Sequence, residues 1–408
     1  MHFGKSLAVG LLILMTTTLW AGPSVPPEVQ EERISVDAKI NGQPVRLDFD
    51  TGATVSILFP SAVQSLGLHI TNTAFSERVP AGQIPLSRIT ESFDLTVWNK
   101  TCKARFIVAD LPTGLSFDAG GVLAWSLVRE NIVQIDALNQ LLKFRKWLPK
   151  ETADWQQFRL QPRSRQLAFE VPDADGDLRT VLVDTGSDRG ISLSPKRWLD
   201  WTNAHLGDPR TLDAYYMPGV GLALKEEWWA KSISVGNLTL TDVPVCEANI
   251  AERSSGSPRF EASFGLAVLK RLDFIADGKT GFAYLQIQKK AAVPYQHNRI
   301  GAVFTPEDLE KSNDLIGHVL EGSPAYEAGI RDGDILLKIG DLIVSNWKTN
   351  PDVRPGKFWK QAAGTKIDLT LSRGGKEYQT AVVLRDLIGP NVTGGGNRVI
   401  SQKSGQQP

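Results

Sequence analysis

Only two cysteines, Cys102 and Cys246, occur in 408 residues. That excludes a disulfide-stapled scaffold and leaves room for one bridge at most, if the two thiols meet in an oxidising compartment. Neither has His or Cys neighbours at ligand spacing, which argues against a zinc site. An excess of charge of either sign is missing too, since 45 Lys and Arg balance 45 Asp and Glu. A nucleic-acid binder, or a protein held on an anionic membrane, would reward a basic surplus. The five histidines (His2, His69, His205, His297 and His318) have no nucleophile motif around them, which disfavours a serine hydrolase. Long apolar runs are also scarce. The one near the start, Leu7 to Trp20, includes three threonines and falls short of the ~20 residues that span a bilayer. With Lys5 before it and Ala21-Gly22 after it, residues 1–21 read as a cleaved export signal.

What is present is a β pattern that occurs twice. "RISVDAKI" and "VRLDF" flank Asn41-Gly42, a strong hairpin signal. Apolar runs then lead into "DTGATVSIL" from Asp50 and into "DTGSDRGISL" from Asp184. Asp50 and Asp184, and the threonine after each, are 134 residues apart. "NIVQIDALNQLLKF" closes the first copy much as "RLDFIADGKTGFAYLQI" closes the second. This is an internal duplication of predominantly β units.

Each aspartate stands at the end of an apolar strand, behind Leu47 and Phe49 or behind Val181 and Val183. Gly52 and Gly186 allow a sharp turn with amides near the carboxylate, and Thr51 and Thr185 brace it. If the units pack about a two-fold axis, the two carboxyls meet. Two such groups cannot both ionise cheaply, so they share a proton. The charged one can then take a proton from a water while the protonated one polarises a carbonyl, which is the chemistry of peptide hydrolysis and needs no cofactor.

These motifs resemble the active-site turns of retropepsin-like and pepsin-like aspartic proteases. The resemblance extends to a second element in each unit that packs beneath the turn, seen as Phe264-Gly265 in "ASFGLAVLKRLDFIAD" and aligned with "GVLAWSLVRENIVQID", where Ala124 replaces the usual Gly. It implies a mainly β fold of two acid-protease β-barrel lobes related by pseudo-two-fold symmetry, over residues 30–150 and 160–290. Asp50 and Asp184 would be the catalytic pair. Flap candidates are "RVPAGQIPLS" with Gly82 and "AYYMPGVGLAL" with Tyr215, Tyr216, Gly219 and Gly221. Asp188 and Arg189 stand where small or apolar residues are commoner, and read as a solvated pair on the lobe surface.

Residues 297–388 differ in character. Ser323 caps a helix that begins at Pro324 and ends at Gly329, and "TKIDLTLSRGGKEYQTAVVL" forms a hairpin around Gly374-Gly375. The segment resembles an α+β PDZ domain of the kind attached to exported bacterial proteases. The resemblance implies recognition of protein or peptide C-termini through Ile300, Gly301, Ala302 and Val303, with a ligand helix within "NPDVRPGKFWKQAAG". Residues 389–408 are too polar to fold and read as a disordered tail. The chain is thus expected to be an exported aspartic endopeptidase, periplasmic or secreted from a bacterium, with protein or peptide substrates and no membrane span once the signal is cut. The alternative is a protease-derived scaffold without catalysis, whose PDZ unit binds peptides.

Overall fold

The computed structural model describes residues 32–72, 76–79, 82–85, 88–109, 119–162, 164–173, 175–217, 221–248, 260–288, 294–308 and 311–392. The export signal, most of the tail and Gly219 fall outside these residues. The chain is mainly β, and its sheets curl into half-barrels. No helix among the described residues is long and apolar enough to cross a membrane.

The hairpin expected at Asn41-Gly42 joins the strands Ser35–Ile40 and Gln43–Asp50. Both turn residues have positive φ, 49° and 82°, as a two-residue turn between right-twisted strands demands. The strand Gln43–Asp50 then pairs in parallel with Gly121–Ala124, setting Ala124 opposite Asp50, and Gly121–Ala124 pairs antiparallel with Ile57–Leu58. The second copy repeats this plan. Ala168–Pro172 and Leu178–Val183 form a hairpin, Leu178–Val183 runs parallel to Phe260–Phe264, and that strand pairs antiparallel with Ile191–Leu193.

The copies are not merely adjacent. Ile132–Asp136, from the end of the first, pairs antiparallel with Leu272–Asp277, from the end of the second. Twelve strands therefore share one sheet that runs from Leu141–Arg145 to Arg210–Met217. A single apolar core follows it, taking in Leu47, Phe49 and Leu123 from one copy and Val181, Val183 and Phe264 from the other.

A separate core gathers Ile300, Phe304, Leu336, Trp347, Trp359 and Leu371. It lies against a further sheet with Ala302–Thr305 at one edge and the hairpin Lys366–Arg373/Lys376–Val383 at the other. Ser323 caps the helix Pro324–Glu327 by accepting the Tyr326 amide, and Gly374-Gly375 makes the hairpin turn, as expected from their placement. All four residues of Ala302–Thr305 are buried although the strand is at a sheet edge, because Arg210–Met217 packs beside it.

Candidate active site

Asp50 ends the strand Gln43–Asp50, and Asp184 directly follows Leu178–Val183. Each backbone turns back on its own carboxylate. Asp50 Oδ1 accepts the amides of Gly52 at 2.8 Å and Ala53 at 3.0 Å, and Asp184 Oδ1 accepts the Gly186 amide at 3.1 Å. The turns then meet head to head. A Cβ placed on Gly52 would lie 2.5 Å from Asp184 Oδ1, and one on Gly186 would lie 2.4 Å from Asp50 Cγ. Only a residue without a side chain lets each carboxyl approach the other turn this closely.

Behind them the threonines cross over. Thr51 Oγ1 donates to the Val183 carbonyl at 2.6 Å, and Thr185 Oγ1 donates to the Phe49 carbonyl, also at 2.6 Å. Each hydroxyl also accepts the other threonine's amide, at 3.1 and 3.0 Å. Both threonines are fully buried. A buried hydroxyl that failed to pair would cost free energy, so this symmetrical set holds the copies in one register.

Burial, followed by the charge of Asp50, pushes the Asp184 carboxyl up to about 7, against the pull of Arg33 and of the Gly186 amide. Arg33, on the lead-in to the first strand, donates a hydrogen bond across the junction to the Gly186 carbonyl. Nothing in the local pattern around Arg33 marks this role.

The supporting elements also differ between the copies. In the second, the Gly265 amide donates to the Gly190 carbonyl at 3.0 Å, and a Cβ on Gly265 would sit 2.4 Å from the Arg189 carbonyl. In the first, the Ala124 amide donates to Ser56 Oγ at 2.9 Å, and the Ala124 methyl is fully buried. Ala124 is therefore accommodated by its own surroundings.

Asp188 and Arg189 are not the solvated pair that their polarity suggests. Arg189 is only 8% exposed. Its Nη2 pairs with Asp213 Oδ2 at 2.8 Å, its Nη1 reaches Cys246 Sγ at 3.6 Å, and its guanidinium lies 4.3 Å from the Tyr215 ring centre. A half-buried partner charge and an aromatic face replace the water it would otherwise need. Burial also pushes Asp188 above the ordinary carboxylate range, with Lys360 opposing. Close by, burial and then the Asp213 charge push Glu227 up to about 8, although the Tyr295 hydroxyl donates to it at 2.6 Å. Sequence reading missed Asp213, Glu227 and Tyr295. The one signal available was an acid next to Trp228-Trp229 in a strand.

Of the flap candidates, Gly82 begins the strand Gly82–Pro85, which forms a hairpin with Ser76–Val79. Tyr215 and Tyr216 lie on Arg210–Met217, and Gly221 begins the partner strand Gly221–Val235. Cys102 is exposed and Cys246 buried, and both are free thiols. Among the described residues no group of His, Cys, Asp and Glu is arranged to hold a metal ion.

In the C-terminal unit, Ile300, Ala302 and Val303 are buried and Gly301 takes a positive φ of 67°. The amides of Ile300 and Gly301 are already engaged. Both donate to Asn298 Oδ1 at 3.1 Å, and Asn298 Nδ2 donates to the Ala302 carbonyl at 2.8 Å. The stretch expected to supply a ligand helix holds the short helix Gly356–Trp359, after a 3-10 turn at Pro351–Val353.

A family model described as aspartyl protease matches residues 36–113. The match takes in the Asp50 turn and ends before Ala124 and Asp184. No curated protein matches the chain. The first copy thus carries an aspartyl protease region, on a β half-barrel that suits a retropepsin-like protease.

Proposed function

We propose that the chain is an exported aspartic endopeptidase built from two fused lobes, with Asp50 and Asp184 as its catalytic pair. The observation that carries this reading is the meeting of the two turns, each carboxyl set against the other's glycine. Asp184 holds the shared proton near neutral pH and polarises the peptide carbonyl. Asp50 takes a proton from the attacking water. Thr51 and Thr185 keep both carboxyls at a fixed separation, and the crossed network lets neither copy drift. The export signal read in the sequence supports an activity outside the cytoplasm, on protein or peptide substrates.

The test is hydrolysis of a reduced, denatured protein across acid to neutral pH, with a pepstatin-type inhibitor as control. Asp50→Asn and Asp184→Asn should each lower turnover by on the order of 100- to 10,000-fold while leaving the far-ultraviolet spectrum intact. Turnover retained in either variant sinks the shared-proton mechanism.

A second reading concerns the C-terminal unit, proposed from its resemblance as a PDZ domain that recruits peptide C-termini. A terminal carboxylate would have to displace Asn298 from the amides of Ile300 and Gly301. That arrangement favours a packing role, in which the unit braces the Arg210–Met217 arm. Peptide C-termini should then bind weakly to the wild type, and more tightly once Asn298→Ala frees the amides. Tight binding by the wild type would restore the recruiting role.

A further inference from the structure

We infer that Arg189 is a positioning residue for Asp184, holding the turn that carries it against the Arg210–Met217 arm and, through that arm, against the linker to the C-terminal unit. The inference rests on the peptidase reading for its kinetic consequence, but not for its structural one.

Arg189 acts at both ends. Its main chain belongs to the turn: the Arg189 carbonyl accepts the Ala267 amide at 3.0 Å, and the Leu266 amide donates to Ser187 at 2.8 Å. Gly265 presses so closely on that carbonyl that no side chain fits between them. Its side chain leaves the turn and binds the arm twice, by the 2.8 Å ion pair to Asp213 and by stacking over Tyr215. Asp213 and Tyr215 are two apart on one strand and so share one face of it. The guanidinium thereby fixes both the position and the register of the arm.

The arm is in turn tied to the linker. Thr211 Oγ1 donates to the Asn298 carbonyl at 2.7 Å, and Tyr295 donates to Glu227 on the partner strand. The charges of Asp213, Glu227 and Asp188 act on the guanidinium, Cys246 lies beside it, and the Lys360 charge from the C-terminal unit acts on Asp188. An arginine suits this place because its planar fork can pair and stack together, which a lysine cannot reproduce. The device is one-sided. Val55 occupies the matching place after Asp50, and its side chain can form neither contact.

The experiment compares Arg189→Met, Arg189→Lys, Asp213→Asn and the Met/Asn double variant with the full wild-type chain. Amide hydrogen exchange in residues 184–191 and 210–217 should quicken about ten-fold in the Met and Asn variants, relative to the Ser35–Ile40 strand. The double variant should be no faster than the Met variant, and Lys should recover part of the loss. Where the wild type hydrolyses peptide, kcat per inhibitor-titrated site should fall about ten-fold with KM nearly unchanged, and the alkaline limb of the pH profile should move. Unchanged exchange in both segments, or strictly additive effects, overturns the inference. If Arg189→Met fails to fold, Asp213→Asn carries the same comparison. A wild type without peptidase activity would sink the catalytic proposal, while exchange would still decide the tether.

Discussion

Thr51 and Thr185 each donate a hydroxyl hydrogen to the carbonyl that precedes the other copy's aspartate, and each accepts the other's amide. Replacing Thr185 by Val keeps the shape and removes the hydroxyl. The Thr51 amide and the Phe49 carbonyl are then buried without partners, at about 1–3 kcal/mol each. Thr185→Val should lower the denaturation midpoint accordingly, whereas Thr185→Ser should stay within about 1 kcal/mol of wild type. Loss in Thr185→Ser with none in Thr185→Val would show that the methyl, not the hydroxyl, matters.

Under the proposed mechanism, Asp184 should set a pH limit on activity. Its carboxyl is held at about 7 against an ordinary 3.8, so the shared proton is lost as pH rises past 7, and turnover should decline there. Arg33 pulls that value down. Arg33→Met should therefore move the alkaline limb of kcat upward, and a limb that stayed or moved down would contradict the assignment.

Glu227 makes a parallel claim on stability. Its folded value of about 8 lies above the ordinary 4.5, so the native state binds more protons than the unfolded chain between these values. Unfolding free energy from this group therefore falls as pH rises from about 4.5 to about 8, and is flat beyond. Glu227→Gln mimics the protonated form and should remove that part of the decline, read by urea denaturation at pH 5 and pH 8. An unchanged slope would place the titration elsewhere.

Gly265 and Ala124 occupy matching positions but should not be interchangeable. Gly265→Ala drives a methyl to 2.4 Å from the Arg189 carbonyl and should cost more than about 2 kcal/mol, because backbone must move. Ala124→Gly empties a small buried space and loosens the unfolded chain, at about 1 kcal/mol. Both are measured by thermal unfolding, and a tolerated Gly265→Ala would refute the crowding.

Much of this was legible in the sequence because its cause is local. Asn41-Gly42 dictates a hairpin through its own backbone preferences, and the doubled Asp-Thr-Gly advertises two like turns. Ser323 and Pro324 announce a helix start in the same way. The state of Arg189 depends instead on Asp213 and Tyr215, brought to it by a strand that pairs elsewhere, so its polarity alone pointed to water. Asn298 likewise looks like an ordinary linker residue until the chain folds its carboxamide onto Ile300 and Gly301. The recurrence of the closing strands could be read from their pattern, but not that Ile132–Asp136 and Leu272–Asp277 pair with one another.

That pairing bears on synthesis. While the ribosome is still extending the chain, Ile132–Asp136 can pair with Leu141–Arg145 on one side, but its other edge stays open until Leu272–Asp277 has emerged. The nascent first copy thus carries an open strand edge that another molecule could claim until the second copy arrives to cover it.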